Sequence, residues 1–326
     1  MANVQTYFNE FNDTIRRSYD ENSVLREKRD LLLSDLRDGL QRYFQTADVG
    51  TPTFDMFNQG SYEMGTGIEP LSGEDYDIDV GLIFHLSKDD YLPARVKKWV
   101  YEALDTGKRK VDCKCPCVRV QYHRKGKELY HVDLAIYAEN PSNWDNQIYL
   151  AKSFLGSVPK NQIWEPADPR GLIENFGRKF KGQDRNREQF RRIIRYLKRW
   201  KDVNFSAKGN KRPTGIAMTV CAMNWFEVGT TYNLHAHRWE DDDLKALKNL
   251  VELILNRFGF GNRISVCLPV PPNNDLFEKM GDRQMKVFKS RLETLRDSLN
   301  QVELTVDTLP ACQLLQRVFG SDFPTQ

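Results

Sequence analysis

Two aspartates one residue apart, at the start of an apolar run, constrain this chain more than any other feature of its sequence. Asp77 and Asp79 open the run DIDVGLIF, which is apolar and β-branched, follows Ser72-Gly73, and therefore predicts a strand. Because alternate side chains of a strand point to the same face, both carboxylates lie on one face and repel each other. Mg²⁺ takes oxygen ligands, including one or two carboxylates with substrate phosphates, and would neutralise the pair.

A glycine-serine turn before this strand and a third aspartate after it extend the pattern. Gly60-Ser61 follows the predicted strand TFDMFNQ, and Asp133 lies in the alternating run YHVDLAIYA. Glycine lets the backbone come close to a phosphate, while the serine hydroxyl and exposed amides can donate to its oxygens. The ordered set resembles the nucleotidyltransferase superfamily that includes DNA polymerase β, which implies a turn that cradles a triphosphate and three aspartates that hold two magnesium ions. The alternative, three aspartates that serve only turns or salt bridges, is disfavoured by this order.

Length and composition describe an ordinary globular protein. The 326 residues could form one large or two ordinary domains, with 40% hydrophobic and 29% charged residues. The N-terminal MANVQTYFNEFNDTIRR lacks the apolar core of a signal peptide, and no apolar run approaches the ~20 residues that cross a bilayer. We therefore predict a soluble, cytoplasmic protein without a membrane part. A net charge of +3 is too small to imply wholesale nucleic-acid binding.

Six cysteines in a chain of this length do not predict a disulfide scaffold. Cys113, Cys115 and Cys117 precede an expected strand, and a zinc site there would need His123 or His131 as a fourth ligand. The two-residue ligand spacing of common zinc sites is missing. Three small side chains on one strand face are the favoured interpretation.

The order of predicted elements is that of an α/β palm followed by helices. Amphipathic helices are expected over 5–19 and 23–46, and a helix with Pro93 near its start follows the Asp77/Asp79 strand. Residues 139–185, rich in Asn, Pro and Gly, are expected to connect the palm to a helical second half. We predict two domains, a palm with N-terminal helices over 1–175 and a helical lobe over 176–326.

A strongly basic segment opens the second half. Between Arg178 and Lys201 there are eleven Lys or Arg against two acids. A charge run of this kind is often a solvated helix face, but beside an aspartate triad it favours a wall that stabilises the charge on a departing pyrophosphate. Lys198, which stands in a Leu-Lys-Arg-Trp context, is the preferred residue for that role. The remaining cations could form a patch for nucleic acid, although no aromatic interleaving for base stacking accompanies them.

The run QGSYEMGTGIEPLSGEDYDIDVGLIF, with PPNNDLFEKM and FGSDFP nearer the end, is similar to the bacterial CD-NTase family, relatives of cGAS and oligoadenylate synthase found in anti-phage CBASS operons. The resemblance covers nearly the whole chain and is most specific over 59–84. It implies an α+β fold: a DNA polymerase β-like nucleotidyltransferase palm with an N-terminal spine helix, a C-terminal lobe like that of oligoadenylate synthase, and a cleft between them. Within the family, clade G or clade B is the predicted position.

The resemblance also implies roles for individual residues. Asp77, Asp79 and Asp133 match the catalytic, metal-binding aspartates, Ser61 the phosphate-binding serine and Lys198 the lysine that contacts the triphosphate. Thr214 stands where the family usually has a serine. Gln59, Gly60 and Tyr62 of the turn complete the predicted nucleotide-binding set. Candidates for stacking or edge contacts with the bases are Gln59, Tyr62, Tyr137 and Tyr232, for each of which a structural role is the favoured interpretation.

The expected activity is a cyclic oligonucleotide synthase. Ribonucleoside triphosphates, ATP or GTP or both, would be joined into a cyclic di- or trinucleotide with release of pyrophosphate, using two Mg²⁺ ions for which Mn²⁺ could substitute. Asp133 is expected to assist deprotonation of the attacking ribose hydroxyl. The product would act on an operon-encoded effector in anti-phage signalling. A monomer is expected, and since no inserted zinc motif is visible, activation by DNA or RNA is not.

Three alternatives remain open at this point. One is a template-free RNA-tailing enzyme of the same superfamily, which would bind RNA through the basic helix. The second is an adenylyltransferase of small molecules or proteins, although such enzymes often lack a long helical lobe. The third is a non-enzymatic nucleotide-binding module, which the complete set of aspartates disfavours.

Overall fold

The computed structural model describes residues 2–17, 19–45, 50–71, 76–107, 109–124, 127–139, 147–206 and 212–325. These residues form ten α-helices: α1 (Gln5–Ile15), α2 (Tyr19–Gln45), α3 (Gly60–Glu63), α4 (Pro93–Leu104), α5 (Pro169–Arg178), α6 (Asp184–Asn204), α7 (Gly215–Trp225), α8 (Asp243–Leu255), α9 (Asp282–Leu304) and α10 (Thr308–Phe319). They also form nine strands: β1 (Phe54–Asn58), β2 (Tyr76–His85), β3 (Lys110–Cys113), β4 (Val118–Arg124), β5 (Lys127–Glu139), β6 (Ile148–Lys152), β7 (Ile163–Ala167), β8 (Thr230–Asn233) and β9 (Arg238–Asp241).

The palm is one mixed sheet with strand order β1-β2-β5-β4-β3, and β6 and β7 extend it from β5. β2 and β5 are parallel, while the other pairs in the sheet are antiparallel. Parallel neighbours need a crossover, and α4 with the β3-β4 hairpin supplies it between β2 and β5. The sheet therefore places the two long strands that carry the predicted aspartates side by side at its centre.

One face of the sheet is covered by helices and the other faces the cleft. Ile78, Val80, Leu82 and Phe84 of β2 pack with α2 and α4, whereas Ile83 belongs to a separate apolar cluster on the opposite face. Because side chains alternate along a strand, Asp79 is directed away from the α2–α4 side. The alternation that the sequence predicted for this strand is confirmed.

The helical lobe has its own core, built from α1 and from α5 to α10. Phe8 and Phe11 of α1 lie fully buried among Tyr196, Phe319 and Phe323, with ring centroids 5.0–6.4 Å apart. The first helix in the chain thus packs with the last ones, while α2 packs on the palm. Helix α5 crosses the predicted domain boundary between residues 175 and 176. The position of that boundary stays a prediction.

Three sequence-based expectations were wrong. The segment 139–185 contains β6, β7 and α5 as well as connections, and the second half includes a short β8-β9 hairpin. The three cysteines do not share a strand face, because β3 ends at Cys113 and a turn follows. The amide of Lys114 donates to the carbonyl oxygen of Cys117 and closes this turn. The turn contains Pro116, which lacks an N–H and is therefore unsuited to a central strand. The fully buried Lys97 holds this turn by donating to the carbonyls of Cys115 and Ser153 at 2.8 and 2.6 Å.

Among the helices described here, none is long and apolar enough to span a bilayer.

Candidate active site

The glycine-serine turn lies directly against the central strand. Gln59 is extended, Gly60 adopts a positive φ of 68°, and residues Gly60–Glu63 form the single turn α3. The amide of Gln59 donates to the carbonyl oxygen of Asp79 at 3.2 Å, and a Cβ at Gly60 would overlap the Asp79 carboxylate. Glycine at this position therefore permits both the left-handed backbone and the close approach of the turn to Asp79.

The second and third predicted aspartates stand opposite each other. Asp79 of β2 is paired in register with Asp133 of β5, and strands in a sheet lie about 4.8 Å apart. Both side chains are partly buried. The backbone of Asp77 pairs with that of His131, but the Asp77 side chain lies outside the described residues. The structure thus brings two of the three predicted carboxylates together on the cleft face.

Arg119 of β4 is the immediate partner of Asp133. Its Nε and Nη2 donate to the two carboxylate oxygens of Asp133 at 2.8 and 2.7 Å, in the bidentate geometry that makes such pairs strong. Sequence reasoning missed this residue. Its position between the buried Val118 and Val120 indicates that it faces the cleft, but its pairing with Asp133 depends on the β4-β5 register.

The carboxylates fit a divalent cation by their chemistry and their placement. Two oxygen-donor side chains on adjacent strands match the ligands that Mg²⁺ takes from proteins. Each carboxylate oxygen has two lone-pair sites, so Asp133 retains acceptor capacity beside Arg119. The described residues do not include the side chain of Asp77. Among the side chains that are described, no group of three His, Cys, Asp or Glu could hold a metal ion. Asp77 as a third ligand stays a prediction.

A cavity of about 630 Å³ opens between this face and the helical lobe. Gly60, Ser61 and Asp79 line its palm side, and the helical lobe contributes the N-terminus of α7 with Thr214 as its cap. Cationic side chains line the same cavity, namely Lys198, Lys201, Arg212 and Lys279. A helix N-terminus and clustered cations favour an anionic ligand, and the volume lies within the usual range for small-molecule sites.

Lys198 is a buried cation at the centre of this wall. Its side chain is 7% exposed, and its Nζ donates to the carbonyl oxygen and to Oγ1 of Thr66 at 3.0 and 3.1 Å. Burial, and after it the positive charges of Lys201 and Arg195, lower the pKa of Lys198 to about 7. Because Lys198 loses its proton near neutral pH, it suits a site where a bound anion stabilises the charged ammonium form.

Most basic side chains of α6 and of the segment just before it make hydrogen bonds within the protein. Ten of the eleven basic residues between 178 and 201 donate to an acceptor in the described part of the chain. Arg195 and Arg199, for example, hold the carbonyls of Gly65 and Glu69 at 2.7 Å each. Arg195, Lys198 and Arg199 tie α6 to the loop that follows the turn, whereas the side chains of Arg178 and Arg185 stay exposed. A nucleic-acid patch on this segment stays a prediction.

The remaining predicted contacts divide between the cleft and other parts of the fold. Gln59 accepts a hydrogen bond from the buried Tyr137 hydroxyl at 3.0 Å, next to Asp79. The hydroxyl of Tyr62 accepts from Arg26 of α2 at 2.7 Å. Tyr232 lies on the β8-β9 hairpin against Trp239 and does not line the cavity. Thr66, Lys201, Arg212 and Lys279 were not predicted as site residues, and no local pattern in the sequence marks them.

Residues 54–137 match the model of the DncV-like nucleotidyltransferase domain of cyclic GMP-AMP synthases. The match runs from β1 into β5 and includes the glycine-serine turn and all three predicted aspartates. The match confirms the predicted nucleotidyltransferase palm and the predicted resemblance to the CD-NTases, while the predicted clade stays a prediction.

The proteins that this chain resembles are distant in sequence, and those of known structure share its fold. A c-di-GMP synthase of Roseivirga ehrenbergii is 21% identical over 305 residues, which cover 84% of this chain and 74% of that protein. The crystal structure of the Vibrio cholerae DncV cyclic AMP-GMP synthase superposes with a TM-score of 0.74 at 18% identity, over 99% of this chain and 97% of that one. Its complex with the linear intermediate pppA(3′,5′)pG superposes with a TM-score of 0.75 at 17% identity, over 99% and 96%. These structural likenesses confirm the predicted fold, a nucleotidyltransferase palm with a helical lobe.

Proposed function

We propose that this chain is a DncV-like nucleotidyltransferase that joins ATP, GTP or both into a cyclic di- or trinucleotide, with release of pyrophosphate. The observation that carries the proposal is the in-register pair of Asp79 and Asp133 beside the Gly60-Ser61 turn, across one cavity from Lys198. Carboxylates on one side and cations on the other are the arrangement that phosphoryl transfer needs. The names of the relatives, a c-di-GMP synthase and a cyclic AMP-GMP synthase, support ATP and GTP as the substrates.

The donor triphosphate would bind between the turn and the helical lobe. Ser61 and the amides of its turn donate to the phosphate oxygens from the palm side. Lys198, Lys201 and Arg212 approach from the other side, together with the amides at the N-terminus of α7. Since each of these groups is a donor or a cation, the polyphosphate is oriented with its α-phosphorus toward Asp79 and Asp133.

Transfer proceeds by attack of a ribose hydroxyl on the α-phosphorus. A new O–P bond forms, the bond to the β-phosphate oxygen breaks, and pyrophosphate leaves with the bonding electron pair. Lys198 and its cationic neighbours stabilise the charge that develops on pyrophosphate. Asp79 and Asp133, with Asp77, would hold divalent cations, which when bound polarise the phosphoryl group and make the hydroxyl a stronger nucleophile.

Asp133 is suited to accept the proton of the attacking hydroxyl. Its carboxylate is oriented by the two hydrogen bonds from Arg119, which leave further lone pairs. A second transfer in the same cavity would close a dinucleotide ring, and a third would close a trinucleotide ring.

The biological setting follows from the proposed product. A cyclic nucleotide made by a cytoplasmic monomer would reach an operon-encoded effector by diffusion and serve anti-phage signalling. Internal contacts engage Arg195, Lys198 and Arg199, which disfavours this part of the basic helix as a surface for activation by RNA or DNA, or for RNA tailing.

A product assay tests this function. Purified protein is incubated with four labelled ribonucleoside triphosphates and Mg²⁺ or Mn²⁺, treated with phosphatase and resolved by chromatography and mass spectrometry. We expect a phosphatase-resistant cyclic product from the wild type, and none from Asp79→Asn or Asp133→Asn proteins that retain the native unfolding transition. Product from a folded Asp77→Ala/Asp79→Ala protein would refute the role of the aspartates. Extension of added RNA without cyclic product would instead identify a tailing enzyme.

A further inference from the structure

We propose that Thr66 is a positioning residue that joins the phosphate-binding turn to Lys198, so that both contact the same triphosphate. The inference deepens the proposed function and rests on it, since it concerns how a nucleoside triphosphate is held. Thr66 belongs to neither the turn nor the basic helix, and its side chain is fully buried between them.

The backbone of Thr66 closes the turn. Its amide donates to the carbonyl oxygen of Ser61 at 2.9 Å, five residues earlier, while the amide of Met64 donates to that of Gly60 at 3.3 Å. The conformation that presents the Ser61 hydroxyl and amides therefore depends on where Thr66 lies.

The other polar atoms of Thr66 bind the lysine. Its carbonyl oxygen and its Oγ1 accept from the Lys198 Nζ at 3.0 and 3.1 Å, across 132 positions of sequence. A buried ammonium needs hydrogen-bond acceptors, and an ammonium has three protons to donate. Thr66 takes two of them, which fixes the direction of Nζ and leaves the third for the cavity that Lys198 shares with Ser61 and Asp79.

The residues around Thr66 hold it in place. Arg195 donates to the carbonyl oxygen of Gly65 at 2.7 Å and to Oδ1 of Asn12 on α1 at 2.7 Å. The Lys198 Cε lies 3.6 Å from the position of a Cβ on Gly215, so the N-terminus of α7 confines the lysine stem. Because the backbone at residue 66 is fixed from both sides, removing only Oγ1 is expected to act locally on Lys198.

Two substitutions separate the hydroxyl from the shape of the side chain. Thr66→Val keeps the branched volume and removes Oγ1, whereas Thr66→Ser keeps the hydroxyl and removes the methyl group. A purely structural role would make both harmful, and the serine variant more so wherever the methyl group packs. A role in positioning Lys198 predicts that serine restores what valine loses.

The experiment measures binding of a nonhydrolysable GTP or ATP analogue and of the matching monophosphate, together with KM and kcat. For Thr66→Val we expect triphosphate affinity about tenfold weaker, the effect of losing one hydrogen bond to a charged group, with monophosphate affinity unchanged. KM should rise in proportion while kcat falls by less, and Thr66→Ser should stay close to wild type. In a Lys198→Met background, Thr66→Val should add nothing, because the interaction it removes is already gone.

Each other outcome counts against the inference. Wild-type triphosphate affinity in Thr66→Val, an equal loss for monophosphate, or additive effects with Lys198→Met would overturn it and leave the proposed function standing. If Thr66→Val does not fold, the test uses Thr66→Ser alone. A lowered melting temperature with wild-type triphosphate affinity in Thr66→Ser then supports the inference, and a loss of triphosphate affinity in that variant overturns it. A wild-type protein that binds no triphosphate overturns both.

Discussion

Replacing Gly60 by alanine should separate catalysis from stability in this protein. Gly60 combines a positive φ of 68° with contact against the Asp79 side chain. An added Cβ would overlap Oδ2 of Asp79 and lie 3.1 Å from its Cγ and 3.2 Å from its Cβ. The Asp79 carboxylate is the part that can rotate away, because its backbone is held in the centre of the sheet.

The two consequences have different magnitudes. A left-handed backbone at a residue other than glycine costs roughly 1–2 kcal/mol of folding free energy. Moving the carboxylate by about 1 Å affects the reaction more strongly, since a misplacement of that size can reduce the rate about a hundredfold. We therefore expect Gly60→Ala to fold with a moderately reduced free energy of unfolding and to lose about 99% of product formation.

Gly156→Ala is the matched control. Gly156 has a φ of 74°, is exposed, and has no atom within 4 Å of an added Cβ. Urea unfolding should show a similar loss of stability in both variants, and the cyclic-product assay should show loss of activity in Gly60→Ala alone. Full activity in Gly60→Ala, or equal loss in both variants, would contradict the assigned contact between the turn and Asp79.

Two further predictions concern the helical lobe. The pKa of Lys198 in the folded protein is about 7 against an ordinary value of 10.5, so the unfolded chain binds more protons between these values and stability should rise with pH across that window. Urea unfolding at several pH values should show that the free energy of unfolding rises less with pH in Lys198→Met than in the wild type. Equal slopes in the two proteins would contradict the lowered pKa of Lys198. Triphosphate affinity of the wild type should weaken above about pH 7, because the Lys198 ammonium loses its charge. Asp243, fully buried, accepts from Arg192 at 2.8 and 2.9 Å and from Tyr196 at 3.0 Å, so Asp243→Ala should cost about 3–5 kcal/mol in urea unfolding, as broken buried pairs do. A loss below about 1 kcal/mol would show that Arg192 is satisfied by Asp241 alone.

The sequence was sufficient to predict the palm side of the site because its signals are local. Strand alternation places Asp79 on the face opposite the buried Ile78 and Val80, and the glycine-serine turn lies within one loop of it. Asp133 could be added because its own strand alternates in the same way.

The helical side could not be predicted in the same detail, because its contacts join distant parts of the chain. The bond from Lys198 to Thr66 and those from Arg195 to Asn12 and Gly65 cross more than a hundred residues. The run of basic residues on and before α6 predicted a phosphate-facing wall with Lys198, but not that Arg195 and Arg199 bind carbonyl groups of the distant loop. Arg119 illustrates the same limit on the palm, since its face follows from alternation but its partner follows from register.

The packing of α1 makes the helical lobe discontinuous in sequence, with the palm inserted into it. Its aromatic core needs Phe8 and Phe11 from one end of the chain and Phe319 and Phe323 from the other. Two covalent connections, one before α2 and one at α5, therefore join the helical lobe to the palm. A fragment that starts at residue 176 would lack α1 and leave Tyr196 and Phe319 exposed, so a helical lobe prepared alone requires α1 to be joined to α5 by a linker across the excised palm.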